Sequence, residues 1–363
     1  MNKKLCCSTL FAMLLAACGG SSSLPSQTSA PAPASQAASG KPSVGAPASI
    51  AAAAKPSASA ASLAQQRALV LGGGGPLGRA WEVGMLKGFK DAGVDLTLAD
   101  LLVGTSAGGI LGTPILAGQA VDSVYNSYLA PQSSAAPAGP PPYDPVYAQQ
   151  AVQPVTSVSS AADLTPALRV EVGRRALAAS KVISEDAQLK AAATLLGDVR
   201  NWPSRPLKLA AADISDGTIR FLDQGSGATI EQAVAATSAN PVQGKTPITI
   251  GGRRYIDGSV GGTNVDGAAG YGAIVALLPP ALLQAQIAKQ QVEALRAKGE
   301  KIIGLEPDAD SLAAMGPDRF DLSRSRSVAE AAVRQAGSVA AEVRDLWLRG
   351  TSASSAAIQS AAN

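Results

Sequence analysis

Residues 101–110 read Leu-Leu-Val-Gly-Thr-Ser-Ala-Gly-Gly-Ile. Leu101 to Val103 is a short apolar run of the kind that forms a buried strand, and Ala107 to Ala117 continues as a helix. Between them stands Gly104-Thr105-Ser106-Ala107-Gly108, a G-x-S-x-G. Its glycines permit a tight strand-to-helix turn that lifts the serine hydroxyl out of the sheet, where the following helix N-terminus favours developing negative charge. The stretch predicts one strand–turn–helix unit of an α/β fold and marks Ser106 as a candidate nucleophile.

Upstream, Ala68 to Leu71 is a second apolar run, and it stops at Gly72-Gly73-Gly74-Gly75-Pro76-Leu77-Gly78. Gly78 to Ala92 follows with Trp81, Met85, Leu86 and Phe89 at helical spacing and Gly93 as its stop. Glycines in such a loop let backbone N–H groups converge on an oxyanion or a phosphate. The spacing of Gly73, Gly75 and Gly78 also fits G-x-G-x-x-G, so a dinucleotide site is the rival reading. That reading requires an acidic residue at the end of a second strand. Asp95 and Asp100 lie nearby, but the next strand leads straight into the serine turn, and no P-loop lysine follows the glycines. Downstream, Leu207–Ala212, Ile219–Leu222, Ala273–Leu278 and Ile302–Leu305 read as strands, with Thr229–Thr237 and Val328–Leu348 as helices. Leu164–Leu196 reads as a helical cap and the proline-rich Ala130–Pro145 as a loop. The alternation predicts an α/β, three-layer domain with a largely parallel central sheet flanked by helices.

Composition narrows the chemistry. The 363 residues are 46% hydrophobic and 16% charged with net charge +3, enough for a substantial core and without the basic field of a nucleic-acid binder. There is no histidine, which removes the Ser-His-Asp triad and His-ligated zinc. The three cysteines, Cys6, Cys7 and Cys18, all precede the domain, so no thiolate metal site or disulfide is expected in it. No metal and no organic cofactor is expected. A serine nucleophile still requires a base. No lysine follows Ser106 with S-x-x-K spacing, which leaves a carboxylate as the obvious choice. Asp257-Gly258-Ser259 supplies a candidate, although Asp-Gly alone is more often a hairpin turn.

In this order, the glycine loop, Gly-Thr-Ser-Ala-Gly and Asp257-Gly258-Ser259 resemble the patatin-like phospholipase family. Residues 233–241, Ala-Val-Ala-Ala-Thr-Ser-Ala-Asn-Pro, resemble the helix and proline before that family's aspartate strand. The resemblance spans roughly Arg67 to Pro279. It implies a Ser-Asp dyad, with Ser106 as nucleophile, Asp257 as general base and backbone amides of Gly73, Gly74 and Gly75 as the oxyanion hole. The implied function is hydrolysis of a lipid ester. A general esterase or acyltransferase, or a lipid-binding envelope protein with little turnover, would keep the same motifs. Two departures stand out: Leu77 and Arg79 flank Gly78 where many members carry a basic residue before that glycine, and Ser259 replaces Gly or Ala.

The N-terminal segment has a different character. Met1 to Lys4 is a basic start, and Leu10 to Ala17 is an apolar run too short to span a bilayer. It ends Leu15-Ala16-Ala17-Cys18, which looks like a bacterial lipobox. Residues 1–17 are therefore expected to be a signal peptide and Cys18 the lipidated N-terminus; an ordinary secretory signal cut near Ala17 is the alternative. Residues 18–65 are rich in Ala, Ser and Pro and read as a disordered tether, 66–350 as the acyl-hydrolase domain, and 351–363 as a disordered tail. The expected partners are a lipid or acyl-ester substrate and a membrane held through Cys18, and the expected location is the bacterial cell envelope. Nucleic acid is not expected.

Overall fold

The apolar runs become strands. In the computed structural model, β1 is Arg67–Leu71, β2 Leu101–Gly104, β3 Leu207–Asp213, β4 Ile219–Leu222, β5 Ile248–Ile250, β6 Arg253–Asp257, β7 Ala273–Leu277 and β8 Ile302–Leu305. The structure describes residues 62–130, 141–283 and 285–349, all inside the compact unit formed by residues 55–363. The signal peptide, Cys18, the tether up to residue 61, residues 131–140 of the proline-rich segment and the tail lie outside the described residues.

The strands form one sheet in the order β5-β6-β3-β2-β1-β7-β8, with β4 also paired to β3. β3, β2, β1, β7 and β8 run parallel to one another, while β4 and β6 pair antiparallel with β3, and β5 pairs antiparallel with β6. Alternation predicted the parallel centre and missed the antiparallel corner. β5 was not predicted as a strand; it and β6 are joined by Gly251-Gly252 with φ of 57° and 78°, the backbone of a tight two-residue hairpin.

Successive β1 residues serve opposite faces. Leu69 and Leu71 join a core with Trp81, Phe89 and Trp347, whereas Ala68 and Val70 join another with Val292 and Leu295. The helices of the first face are α1 (Gly75–Asp91), α2 (Ala107–Leu116) and α10 (Ser325–Arg349); α8 (Ala285–Ala297) covers the second. Both faces of the parallel centre are thus buried, as its nearly unbroken apolar strands require. α1 starts earlier than its periodicity predicts, at Gly75, because Pro76 is compatible with the first helical turn. Four helices were not predicted: α3 (Val121–Leu129), α4 (Pro145–Thr156), α8 and α9 (Ala309–Met315). The predicted cap resolves into α5 (Pro166–Ala178) and α6 (Glu185–Leu196), capped by the Thr165 and Ser184 hydroxyls, and α7 is Ile230–Thr237.

α1 and α10 approach unusually closely because one face of α1 lacks side chains. A Cβ added to Gly84 would lie 2.3 Å from the Ala329 carbonyl oxygen, and one on Gly88 would lie 2.7 Å from the Ala336 methyl. The Trp81 indole N–H donates to the Gln335 side-chain oxygen at 2.8 Å across the same interface. Gly88→Leu should therefore force the helices apart and lower stability by about 1–3 kcal/mol. Gly337→Ala, where an added Cβ meets nothing within 4 Å, should raise it by up to about 1 kcal/mol. Urea unfolding of both variants checks the contrast; equal effects at the two positions would refute the close-packing account.

Candidate functional site

A strand offers two hydrogen-bonding edges, and β3 has three partners. Leu209 pairs with both Gly104 of β2 and Leu222 of β4, while Ala211 pairs with both Asp257 of β6 and Arg220 of β4. β2 and β6 therefore share the edge opposite β4. One is parallel and the other antiparallel, so their carboxyl ends meet there, Gly104 against Leu209 and Asp257 against Ala211. Residues from two distant motifs emerge at one point of the sheet.

Backbone contacts explain the glycines around this point. A Cβ on Gly108 would sit 2.3 Å from the Leu71 carbonyl oxygen, one on Gly104 would sit 2.7 Å from the Gly109 Cα, and one on Gly258 would sit 2.4 Å from the Ala210 carbonyl oxygen. Asp257-Gly258 is thus the end of a strand, where a hairpin turn was the rival reading. Ser106 takes φ 52°, ψ −113°, a region that side-chain-bearing residues rarely occupy and that surrounding structure must enforce. It stands at the start of α2 without capping it, which leaves its hydroxyl free of the helix. Its amide donates to the Thr237 hydroxyl at 3.1 Å, and that hydroxyl donates to the Ala210 carbonyl at 2.6 Å.

Asp257 is wholly buried. Its Oδ1 accepts the Ser259 amide at 2.8 Å, and its Oδ2 closes no hydrogen bond of ordinary geometry. Burial pushes the carboxyl above the usual aspartate range, opposed by the Ser259 amide and hydroxyl, the Ser106 hydroxyl and the Lys245 charge. The carboxylate and the Ser106 hydroxyl are therefore neighbours at this point of the sheet. Lys245 itself donates to the Ser238 carbonyl at 2.8 Å.

The glycine loop passes between two serines. A Cβ on Gly73 would lie 2.4 Å from the Ser259 hydroxyl and 3.5 Å from the Ser106 Cβ. The Gly72 amide donates to Leu277 at 3.0 Å, and that of Gly78 to Gly74 at 3.1 Å. Among the described residues, the amides of Gly73, Gly74 and Gly75 find no acceptor. Gly74 and Gly75 line, with Ser106, a cavity of about 340 Å³ whose wall includes Gln149 and Thr156 of α4. A second, largely apolar cavity of about 130 Å³ lies on the Gly73–Ser259 side, beside Leu278, Pro279 and Ile287. Arg79 does not line the Ser106 cavity; its guanidinium stands 6.0 Å from the centre of the Tyr128 ring.

The sequence reading missed two residues that hold this arrangement. Thr237 lies in the stretch 233–241 but carried no assigned role. Asn264 is buried and, with Ser106, is one of two non-glycine residues at positive φ among the described residues. Its side-chain amide donates to the Thr105 hydroxyl at 3.0 Å and the Gly258 carbonyl at 3.1 Å, tying the residue before Ser106 to the residue after Asp257. The only sequence signal was an asparagine among small residues, a type that tolerates left-handed backbone.

Asn264→Ala removes these bonds, together with a longer one to the Gly262 carbonyl at 3.4 Å, and keeps a Cβ at φ 55°, so it should cost about 1–3 kcal/mol in chemical denaturation. Asn264→Gly removes the bonds but relieves the backbone and should cost less. A cost for Ala below about 0.5 kcal/mol would show that the clamp contributes little.

A model of the family described as patatin-like phospholipase matches residues 69–269. Among curated proteins, none matches the chain. Among solved structures, VipD from Legionella pneumophila aligns with TM-score 0.37 and 12% identity over 77% of this chain and 67% of VipD. The type III effector protein ExoU aligns with TM-score 0.30 and 17% identity over 74% of this chain and 53% of ExoU, so this chain spans about half of ExoU.

Proposed function

We infer, for a chain that belongs to the patatin-like phospholipase family, that it hydrolyses lipid esters through Ser106 and Asp257. Asp257 accepts the Ser106 proton as the hydroxyl oxygen attacks the ester carbonyl. The amides of Gly73, Gly74 and Gly75 receive the oxyanion of the tetrahedral intermediate, each such donor contributing on the order of 3 kcal/mol. Asp257 returns the proton to the departing alcohol, leaving an acyl-serine. It then takes a proton from water, whose oxygen attacks the acyl carbon, and returns it to Ser106 as the acid departs.

The observation that carries this reading is the buried Oδ2 of Asp257, which closes no hydrogen bond of ordinary geometry, at a strand end that meets the turn of a serine whose hydroxyl caps nothing. A buried carboxyl whose proton affinity is raised is a better base than an exposed aspartate. The three unoccupied glycine amides beside the same serine fit an oxyanion site better than a dinucleotide site, because β2 ends at the serine turn with no acidic residue at its tip.

Ser106→Ala and Asp257→Asn should each lower ester hydrolysis by about 10³-fold or more, and the double variant should be no worse than either, since the two act as one unit. Because the Asp257 pKa is raised in the folded enzyme, kcat/KM should fall as pH drops through a value above that of an ordinary aspartate, the base being active only when ionised. Near wild-type turnover in Asp257→Asn would remove the dyad. A fluorophosphonate adduct on Ser106 would separate an esterase from a lipid binder with little turnover.

We further propose that Cys18 anchors the domain to the cell envelope, a reading supported by the lipobox-like Leu15-Ala16-Ala17-Cys18 and the small-residue stretch behind it. Mass spectrometry of the membrane fraction should find an acylated Cys18 as the mature N-terminus, and Cys18→Ser should abolish that form. A mature terminus at any other residue contradicts the anchor.

A further inference from the structure

Arg319 is the sole charged residue among the described residues lining the cavity over Ser106. It comes from the segment between α9 and α10, far from every motif in the sequence reading. Two contacts hold it there: its carbonyl accepts the Leu77 amide at 3.3 Å, and its guanidinium donates to the Ala281 carbonyl. It forms no ion pair among the described residues.

The neighbouring acids are engaged elsewhere. Asp318 accepts the Phe320 amide at 2.9 Å; Asp321 accepts Ser323 and pairs with Arg324 at 3.2 Å. Burial lowers the Arg319 pKa, and no charged neighbour offsets it. A partly desolvated guanidinium lacking a counter-charge binds an anion strongly, and its planar fork suits the oxygens of phosphate. No carboxylate lines the cavity to repel such a group.

We propose that Arg319 binds the phosphate of a lipid substrate while the ester meets Ser106, making it the residue that selects phospholipid over neutral lipid. This rests on the acyl-hydrolase reading, with the chemistry left to Ser106 and Asp257. In a glycerolipid the phosphate and the ester are a few bonds apart, a separation that one cavity can hold.

Two measurements test it. On vesicles of phosphatidylglycerol, Arg319→Gln should lose about tenfold to a hundredfold in kcat/KM. On a p-nitrophenyl ester of the same acyl chain it should lose less than about threefold, and Arg319→Lys should recover part of the difference. Equal losses on both substrates, or none on either, would overturn the assignment. The second measurement needs no turnover: calorimetric binding of octyl phosphate to wild type should be at least about tenfold tighter than that of octanol or inorganic phosphate, and Arg319→Gln should remove the advantage over octanol. Persistence of that advantage in Arg319→Gln would overturn the site, and inorganic phosphate binding as tightly as octyl phosphate would overturn its assignment to a lipid. If neither ester is hydrolysed yet octyl phosphate binding still depends on Arg319, the phosphate site stands and the enzyme reading falls.

Discussion

Two strands share one edge of β3, and the site depends on that constraint. Because β4 takes the opposite edge from Leu209 to Ala212, β2 can pair only up to Leu209 and β6 only from Ala211. Neither strand can lengthen without displacing the other. Each must leave the sheet at this point, β2 through the Ser106 turn and β6 through the Gly258 turn. The strained Ser106 backbone is held by what surrounds it: the Thr237 hydroxyl on its amide, and Asn264 on Thr105 and Gly258.

Close approach of backbones is the second theme, and it explains a glycine-rich chain that is nonetheless well packed. Gly73, Gly104, Gly108 and Gly258 each stand where a methyl group would overlap a neighbouring atom. Gly84 and Gly88 perform the same service between α1 and α10, which fixes the helix that begins at the glycine loop. The loop is thus placed from both sides: β7 anchors Gly72 through the Leu277 carbonyl, and α1 anchors its far end against α10. The amides of Gly73, Gly74 and Gly75 are left without an acceptor among the described residues, and Gly74 and Gly75 line the cavity that Ser106 also lines.

Electrostatics follows from burial. The chain has no histidine, and an exposed aspartate holds its proton only weakly. Excluding water from Asp257 raises that affinity, while the Ser259 amide and the distant Lys245 charge keep the shift within bounds. In the wall of the Ser106 cavity, Arg319 bonds the Ala281 carbonyl and has no ion-pair partner among the described residues. Asp257 is thus a buried acid outside the cavity lining, whereas the lining itself carries the partly buried cation Arg319 and no acid.

The local stereochemistry of this protein is written in short stretches of its sequence. Leu101 to Gly108 specifies strand, turn and helix because glycine sterics and apolar runs act over a few residues. The runs Ile219–Leu222 and Ile302–Leu305 became strands with those same limits for the same reason. The missing histidine and the Asp257-Gly258-Ser259 stretch limit the candidate base on composition and motif alone. Thr237, Asn264 and Arg319 were not legible, since their roles arise from neighbours brought together by the fold: Ser106 and Ala210, Thr105 and Gly258, Leu77 and Ala281. The antiparallel corner was hidden likewise, because β5 has only Ile248 to Ile250 to announce it and a three-residue strand carries no periodicity of its own. Which strand takes which edge of β3 is a competition among distant segments for one set of hydrogen bonds. Local sequence determines the candidates, and only tertiary packing decides the outcome.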